Sequence, residues 1–299
     1  MTTHPRVLDY PESILPGMIP HEAELTTGTR VEPGRSYGFF TDTTLCIGCK
    51  ACEVACKEWN DLPADDIGLT GQSYDNTGSL SATTWRHVAF IERISNAQGE
   101  RATTLQPFQS NWLMMSDVCK HCSPALCLEA CPTGALFRTE FDTVVVQQDI
   151  CNGCGYCVPA CPFGVVDLNQ ADGKAHKCTL CYDRLKGGLE PACAKACPTD
   201  SIQFGELSDL HARAQQRVEA LRAQGRNDAY LYGTPNAPGA TGGIAQLHAF
   251  FLLTERPEVY NLPTTPTLPS TRLAPGFLAG LATVAGLVLA TITVFAGRK

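Results

Sequence analysis

Sixteen cysteines arranged in four runs constrain this chain more than any other feature. The tightest run is Cys151-Asn-Gly-Cys154-Gly-Tyr-Cys157-Val-Pro-Ala-Cys161-Pro162, spaced C-x2-C-x2-C-x3-C-P. Three thiolates this close must wrap one small centre, so the loop is tight and Gly153 and Gly155 relieve its backbone. The fourth thiolate points away on the first turn of the next segment, and Pro162 sets the exit direction. Cys46, Cys49, Cys52 and Cys56 repeat the spacing, with Lys57 where the proline would be. Cys119, Cys122, Cys127 and Cys131, followed by Pro132, carry two extra residues between the second and third cysteines. Cys178, Cys181, Cys193 and Cys197, followed by Pro198, carry a much longer insertion at the same place. No cysteine is left over for a nucleophile or a disulfide.

The spacing is that of the ligand run in bacterial [4Fe–4S] ferredoxins, where the fourth cysteine serves a neighbouring cluster. Four complete runs therefore predict four [4Fe–4S] clusters. A disulfide scaffold suits a small secreted chain, not one of 299 residues. Zinc can use C-x2-C pairs, but the x3-C-P tails favour clusters. Clusters need thiolates, which implies assembly in a reducing compartment. The net charge of −7 argues against nucleic acid as a partner. Residues 1–20 are interrupted by prolines and acids, so no signal peptide is read there. If the protein leaves the cytoplasm, it travels folded with a partner that carries the signal.

Taken in order, residues 1–35 hold five prolines and read as an extended arm, either a free tail or a strap across a partner. Tyr37–Thr41 reads as a strand, and Ala51–Trp59 as a helical turn or two carrying Cys52 and Cys56. Residues 60–85 read as a long loop, and His87–Ile94 alternates in strand fashion. Ala135–Thr139 and Thr143–Gln147 form a strand–turn–strand pattern between runs two and three, and Ser201–Phe204 a closing strand. Ser208 is placed to cap a helix with apolar positions Leu210, Ala214, Val218 and Leu221, ending at Gly225. Its other face carries Arg213, Arg217, Glu219 and Arg222. Gly233–Gly243 lacks G-K-[ST] and reads as a loop. Leu273–Gly297 has no charge and is long enough to span a membrane, with Gly276, Gly280, Ala282, Ala285 and Gly286 allowing close helix packing. Its flanks are Arg272 on one side and Arg298 with Lys299 on the other, which points weakly to a cytoplasmic C-terminus.

The hairpin in the short gap between Cys131 and Cys151 favours runs two and three as one module. Run four follows run three as closely, so spacing alone leaves the pairing of runs open. Lys50, Lys120, Lys177 and Lys195 sit beside ligands and can raise a cluster's potential; the competing reading is solvated surface lysines. His121 and His176 are also adjacent but are not needed as ligands. No pterin, flavin or nucleotide motif is present, so no catalytic residue is assigned and the chain reads as a carrier. A sensor that uses clusters structurally rarely needs four.

The four runs with their individual insertions resemble the iron–sulfur β subunit of membrane-bound formate dehydrogenase. The stretches that carry the resemblance are Thr44–Asn60, His176–Arg184 with Glu190–Pro198, Ala214–Val218, the region from Leu247 to Tyr260, and the single terminal apolar helix. The cysteine runs alone specify the wider group of four-cluster subunits of molybdopterin oxidoreductases, including nitrate, dimethyl sulfoxide, tetrathionate and polysulfide reductases. Asp200 departs from the glycine usual in ferredoxin-like runs, without changing a ligand. The resemblance implies an α+β fold of two nested ferredoxin-like two-cluster modules plus one transmembrane helix. Its parts would be an arm (1–35), an outer module (36–118 and 163–207), an inner module (119–162), a partner-contact segment (208–271) and an anchor (272–299).

It also implies the ligand sets. Cys46, Cys49, Cys52 and Cys197 would hold one cluster, and Cys178, Cys181, Cys193 and Cys56 its partner. Cys119, Cys122, Cys127 and Cys161 would hold the third, and Cys151, Cys154, Cys157 and Cys131 the fourth. The implied partners are a molybdenum or tungsten pterin catalytic α subunit, a cytochrome b γ subunit that passes electrons to quinone, and membrane lipid. The soluble part would face the periplasm, with the C-terminus in the cytoplasm.

Overall fold

Every residue of the strand Tyr37–Asp42 (β1) is buried, because it is covered on both faces and paired on both edges. The computed structural model describes residues 31–64, 74–75, 77–96, 108–235, 246–266 and 273–296. Within a four-stranded sheet, β1 pairs antiparallel with Ile202–Glu206 (β8) and parallel with Ala249–Leu253 (β10). Tyr230–Tyr232 (β9) closes the far edge against β10. The contact between β1 and β10 is close. A Cβ on Gly38 would come within 1.9 Å of the His248 carbonyl oxygen, so no larger residue fits.

Strand alternation sorts the side chains between the two faces. Phe40, Phe250 and Leu252 meet the helix Leu207–Ala223 (α6) through Leu207, Leu210, Ala214, Val218 and Leu221. Those helix positions recur at three- and four-residue intervals, the spacing of one helical face. Leu210 is fully buried, which contributes about 1.5–3 kcal/mol. Tyr37, Phe39 and Ala249 face the other way, into the core that holds most of the cysteines. The sheet is therefore a wall between a helix and the thiol-bearing loops.

The remaining strands are short ribbons, apart from one. Arg86–Asn96 (β2) and Phe108–Val118 (β3) form an antiparallel hairpin in register from Arg86↔Val118 to Asn96↔Phe108. Leu136–Arg138 (β4) pairs with Val144–Val146 (β5), and Asp167–Leu168 (β6) with Ala175–His176 (β7). Each ligand run puts its third cysteine on a short helix. Cys52 lies on Ala51–Trp59 (α1), Cys127 on Leu126–Glu129 (α2), Cys157 on Cys157–Ala160 (α3) and Cys193 on Ala192–Lys195 (α5). The long insertion of the fourth run carries Tyr182–Lys186 (α4). In space α1 packs on α5, and α2 packs on α3.

One expectation fails at the start of α6. Ser208 does not cap it: the cap position is Glu206, with extended backbone and no side-chain cap bond. The strand β8 runs straight into the helix, and the Leu207 N–H donates to the Ser36 carbonyl at 2.9 Å, so a backbone partner takes the place of a capping side chain. Ser208 lies inside the first turn and its Oγ donates to Glu206 at 3.3 Å. The last helix, Leu273–Ala296 (α7), is 24 residues long, or about 36 Å at about 1.5 Å per residue. From Pro275 to Ala296 none of it is buried, and Phe277, Leu287 and Phe295 lie open. Most of the 1–35 arm, much of the 60–85 loop, residues 236–243, and the flanking Arg272, Arg298 and Lys299 lie outside the described residues.

Candidate iron–sulfur centres

All four ligand loops share one backbone device. The residue before the second cysteine is left-handed in each: Gly48 (φ 67°), His121 (φ 42°), Gly153 (φ 72°) and Leu180 (φ 57°). That turn brings the second thiol back toward the first. At Gly153 a Cβ would also lie 2.2 Å from the Gly173 carbonyl oxygen, so both conformation and space require glycine.

The thiols meet across runs as well as within them. Cys46 stands beside Cys197 as well as Cys49, and all three line one cavity with Cys52, Pro198 and Ser201. Cys56 faces Cys178, Cys193 and Cys181. Cys122 is flanked by Cys119, Cys161 and Cys127. Cys157 is flanked by Cys151, Cys131 and Cys154. Electrostatic influence also reaches between these groups: Cys193 raises Cys52, Cys119 raises Cys178, and Cys157 raises Cys127. Only Cys49 and Cys154 are exposed.

Burial pushes most of the thiols up, and neighbouring cysteines push in the same direction. Cys52 and Cys127 rise to about 12 and Cys157 to about 11. Cys56 and Cys178 rise for the same reasons. Cys131 is the exception. Its slight burial is outweighed by hydrogen bonds from Leu136 and Thr133, which lower it. Thiolate ligation at such sites must expel protons, and a cationic metal core supplies the counter-charge. Among the described residues no three His, Cys, Asp or Glu side chains converge on a single-ion site. A cubane needs no such convergence, since each of its four thiolates binds a different iron.

Several groups donate to the sulfurs. The Ala175 N–H donates to Cys151 at 3.5 Å, the Leu180 N–H to Cys178 at 3.3 Å and Asn60 Nδ2 to Cys56 at 3.7 Å. Such bonds favour the more negative, reduced state of a cluster.

The comparisons with known proteins agree with this chemistry. Residues 110–207 match the profile of a 4Fe–4S dicluster domain, and residues 45–135 match a second profile of the same description. The nitrate-inducible formate dehydrogenase iron–sulfur subunit of Escherichia coli is 40% identical over 256 residues, which is 83% of this chain and 81% of that protein. The formate dehydrogenase iron–sulfur subunit of Haemophilus influenzae is 39% identical over 258 residues, 84% and 77% of the two chains. The chain belongs to the formate dehydrogenase iron–sulfur subunit family. The B subunit of the anaerobic dimethyl sulfoxide reductase of Escherichia coli is 34% identical over 177 residues, but these make up only 59% of this chain and 77% of that protein. Membership in this family fixes the chemistry as electron transfer through [4Fe–4S] clusters.

For a subunit of this family the surrounding charges matter, and here the four ligand-adjacent lysines separate. Lys195 is exposed, and Lys50 is partly buried and paired with Glu53 at 3.6 Å. Lys120 and Lys177 are not the solvated lysines that composition alone suggests, being 0% and 2% exposed. Lys120 is held by Asp117 and the Val118 carbonyl, between the rings of Phe163 and Phe251. Lys177 is held by the carbonyls of Val144 and Cys178. His121 is buried too, and burial followed by the charge of Lys177 holds it neutral. Its Nδ1 accepts the Val144 N–H at 3.1 Å, which is a structural role. His176 pairs with Asp172 at 2.8 Å.

Sequence reasoning missed a third buried cation altogether. Arg86, the first residue of β2, is 1% exposed and lies over the Phe39 ring at 4.7 Å. Its Nη2 donates to Cys193 Sγ at 3.1 Å and its Nη1 to Ser116 Oγ at 3.2 Å. Ser116 Oγ in turn lies 3.2 Å from Cys52 Sγ. The only signal in the sequence is an arginine opening a strand, which gives no reason to expect burial.

Proposed function

We propose that this chain is the electron wire of a membrane-bound formate dehydrogenase. It holds four [4Fe–4S] clusters in two nested ferredoxin-like modules, an outer one from 36–118 with 163–207 and an inner one from 119–162. The first cluster is held by Cys46, Cys49, Cys52 and Cys197, and the second by Cys178, Cys181, Cys193 and Cys56. The third is held by Cys119, Cys122, Cys127 and Cys161, and the fourth by Cys151, Cys154, Cys157 and Cys131. When bound, each cluster supplies a one-electron acceptor and donor.

The observation that carries this reading is the linear order of the thiol groups. Cys52 neighbours Cys193, Cys178 neighbours Cys119, and Cys127 neighbours Cys157. On the ligand sets proposed here, these neighbours order the four centres in a row, whose two end centres include the exposed thiols Cys49 and Cys154. A row with two exposed ends suits a relay that takes electrons from one partner and passes them to another. The exposed apolar Ile47 and Tyr156 beside those ends suit contact with other subunits.

The relatives are named as subunits of formate dehydrogenase, which supports a catalytic partner carrying the molybdenum or tungsten pterin. The bare apolar helix α7 supports a membrane partner of the cytochrome b type, with lipid around it. The soluble part is taken to face the periplasm. The alternative, a subunit of a dimethyl sulfoxide reductase type, is favoured only by the partial match to that relative.

The test is purification of the complex through this chain. It should bring a pterin-containing large subunit, about 16 irons and about 16 acid-labile sulfides per copy of this chain. Formate should reduce its clusters, and a quinone analogue should reoxidise them. Clusters untouched by formate but oxidised by dimethyl sulfoxide would select the alternative.

A further inference from the structure

We infer that Arg86 is a shared positioning residue for two clusters, whose single charge makes both easier to reduce. The inference rests on the ligand sets above, in which Cys193 and Cys52 belong to neighbouring clusters. Its own basis is separate, in the contacts of one guanidinium.

A buried arginine is costly unless its charge is answered. Among the described residues no carboxylate pairs with Arg86. Its donors go to Cys193 Sγ at 3.1 Å, to Ser116 Oγ at 3.2 Å and to the Ser116 carbonyl at 3.4 Å, while Nε has no partner. Burial works against its charge, and the thiolates of Cys193, Cys52, Cys178 and Cys56 outweigh burial. The counter-ions of Arg86 are thus ligand sulfurs of both clusters. The arginine touches one cluster directly and the other through the Ser116 hydroxyl, which reaches Cys52 Sγ at 3.2 Å. An added electron on either cluster puts negative charge beside the same cation, so the reduced state of each is favoured. Passage of one electron oxidises one cluster and reduces the other. No proton moves, because a guanidinium stays protonated.

The geometry also makes the effect unequal. Arg86→Gln removes the charge from both clusters. Ser116→Ala keeps the charge and removes the hydroxyl that joins Arg86 to Cys52 Sγ, while Arg86 retains Cys193 Sγ and the Ser116 carbonyl. Arg86→Lys keeps the charge but lacks the planar fork that holds Cys193 Sγ and Ser116 Oγ at once.

The experiment is an EPR-monitored redox titration of the purified holo-complex, with iron counted in each sample. Arg86→Gln should lower the one-electron reduction equilibrium of two clusters by about tenfold each, and tenfold corresponds to 59 mV. Arg86→Lys should recover part of that loss. Ser116→Ala should lower one of the same two clusters by a few-fold and leave the other at its wild-type potential. Fully loaded Arg86→Gln protein with unchanged potentials would overturn the inference and leave the ligand sets standing. A single shifted signal, common to Arg86→Gln and Ser116→Ala, would mean that Cys52 and Cys193 share one cluster, which overturns the ligand sets. Where Arg86→Gln fails to load iron, Ser116→Ala decides: a selective shift supports the inference and unchanged potentials overturn it.

Discussion

Arg217 donates from Nε to Asp42 Oδ2 at 2.8 Å, across 175 residues of sequence. Asp42 is fully buried at the end of β1, and its other carboxylate oxygen takes the Thr44 N–H at 2.9 Å and the Thr44 hydroxyl at 2.6 Å. One carboxylate therefore ties helix α6 to the turn that delivers Cys46. Arg217→Ala should cost about 2 kcal/mol, the scale of hydrogen bonds to a charged group with one partner still near water. The measurement is a denaturation midpoint on the loaded chain. A midpoint equal to wild type would mean that Asp42 is satisfied by Thr44 alone.

Gly153 and Gly134 give a matched pair. Both have positive φ, 72° and 71°, but a Cβ at Gly153 meets the Gly173 carbonyl while one at Gly134 meets nothing within 4 Å. Gly134→Ala should cost about 1–2 kcal/mol and leave iron content unchanged. Gly153→Ala should displace the third loop and remove about four irons per chain. Equal iron in the two variants would contradict the close approach.

Burial holds the His248 imidazole below its usual 6.5, with Asp142 opposing at 3.6 Å and Arg138 and His211 adding to the depression. A histidine depressed in the folded state binds its proton more readily when unfolded. Its contribution is complete above about pH 6.5 and is lost as pH falls below that. Thermal midpoints taken at about pH 7 and about pH 5.5 should differ less in His248→Gln than in wild type. An unchanged difference would assign the acid sensitivity to other groups.

Much of this fold is legible in the sequence, and the failures have physical causes. Helix α6 announces itself by Leu210, Ala214, Val218 and Leu221, and β1, β4, β5 and β8 by their residue types and position beside the ligand runs. The strand β10 does not, because Ala-Phe-Phe-Leu-Leu is apolar throughout and shows no period. A strand with both faces covered and both edges paired looks that way, and only the fold reveals the cover. Strand β3 fails for the opposite reason, since Phe-Gln-Ser-Asn-Trp mixes polar and apolar residues without alternation. Gly48 and Gly153 flag the left-handed turn of their loops, while His121 and Leu180 take the same turn without glycine and so leave no mark. Arg86, Lys120 and Lys177 are the least legible. Charged residues are ordinarily exposed, and it is the neighbouring thiols and carbonyls, brought in from distant segments, that make their burial tolerable.

The helix α7 is exposed from Pro275 to Ala296, with none of that stretch buried. A chain ending before Arg272 should load its clusters fully, leave the membrane fraction more easily and pass electrons to quinone poorly. Full membrane retention together with full quinone-linked activity would remove the anchor reading.

The nested wire is tested most directly at Cys56, which faces Cys178, Cys193 and Cys181 although it belongs to the run of Cys46. The measurement is EPR of the reduced complex carrying Cys56→Ser, with each signal assigned by parallel substitution of Cys49, Cys122, Cys154 and Cys181. The expected result is that Cys56→Ser and the Cys181 substitution perturb the same signal. Sharing a signal with the Cys122 substitution would contradict the nesting, and sharing one with the Cys49 substitution would contradict any crossing of ligands between runs.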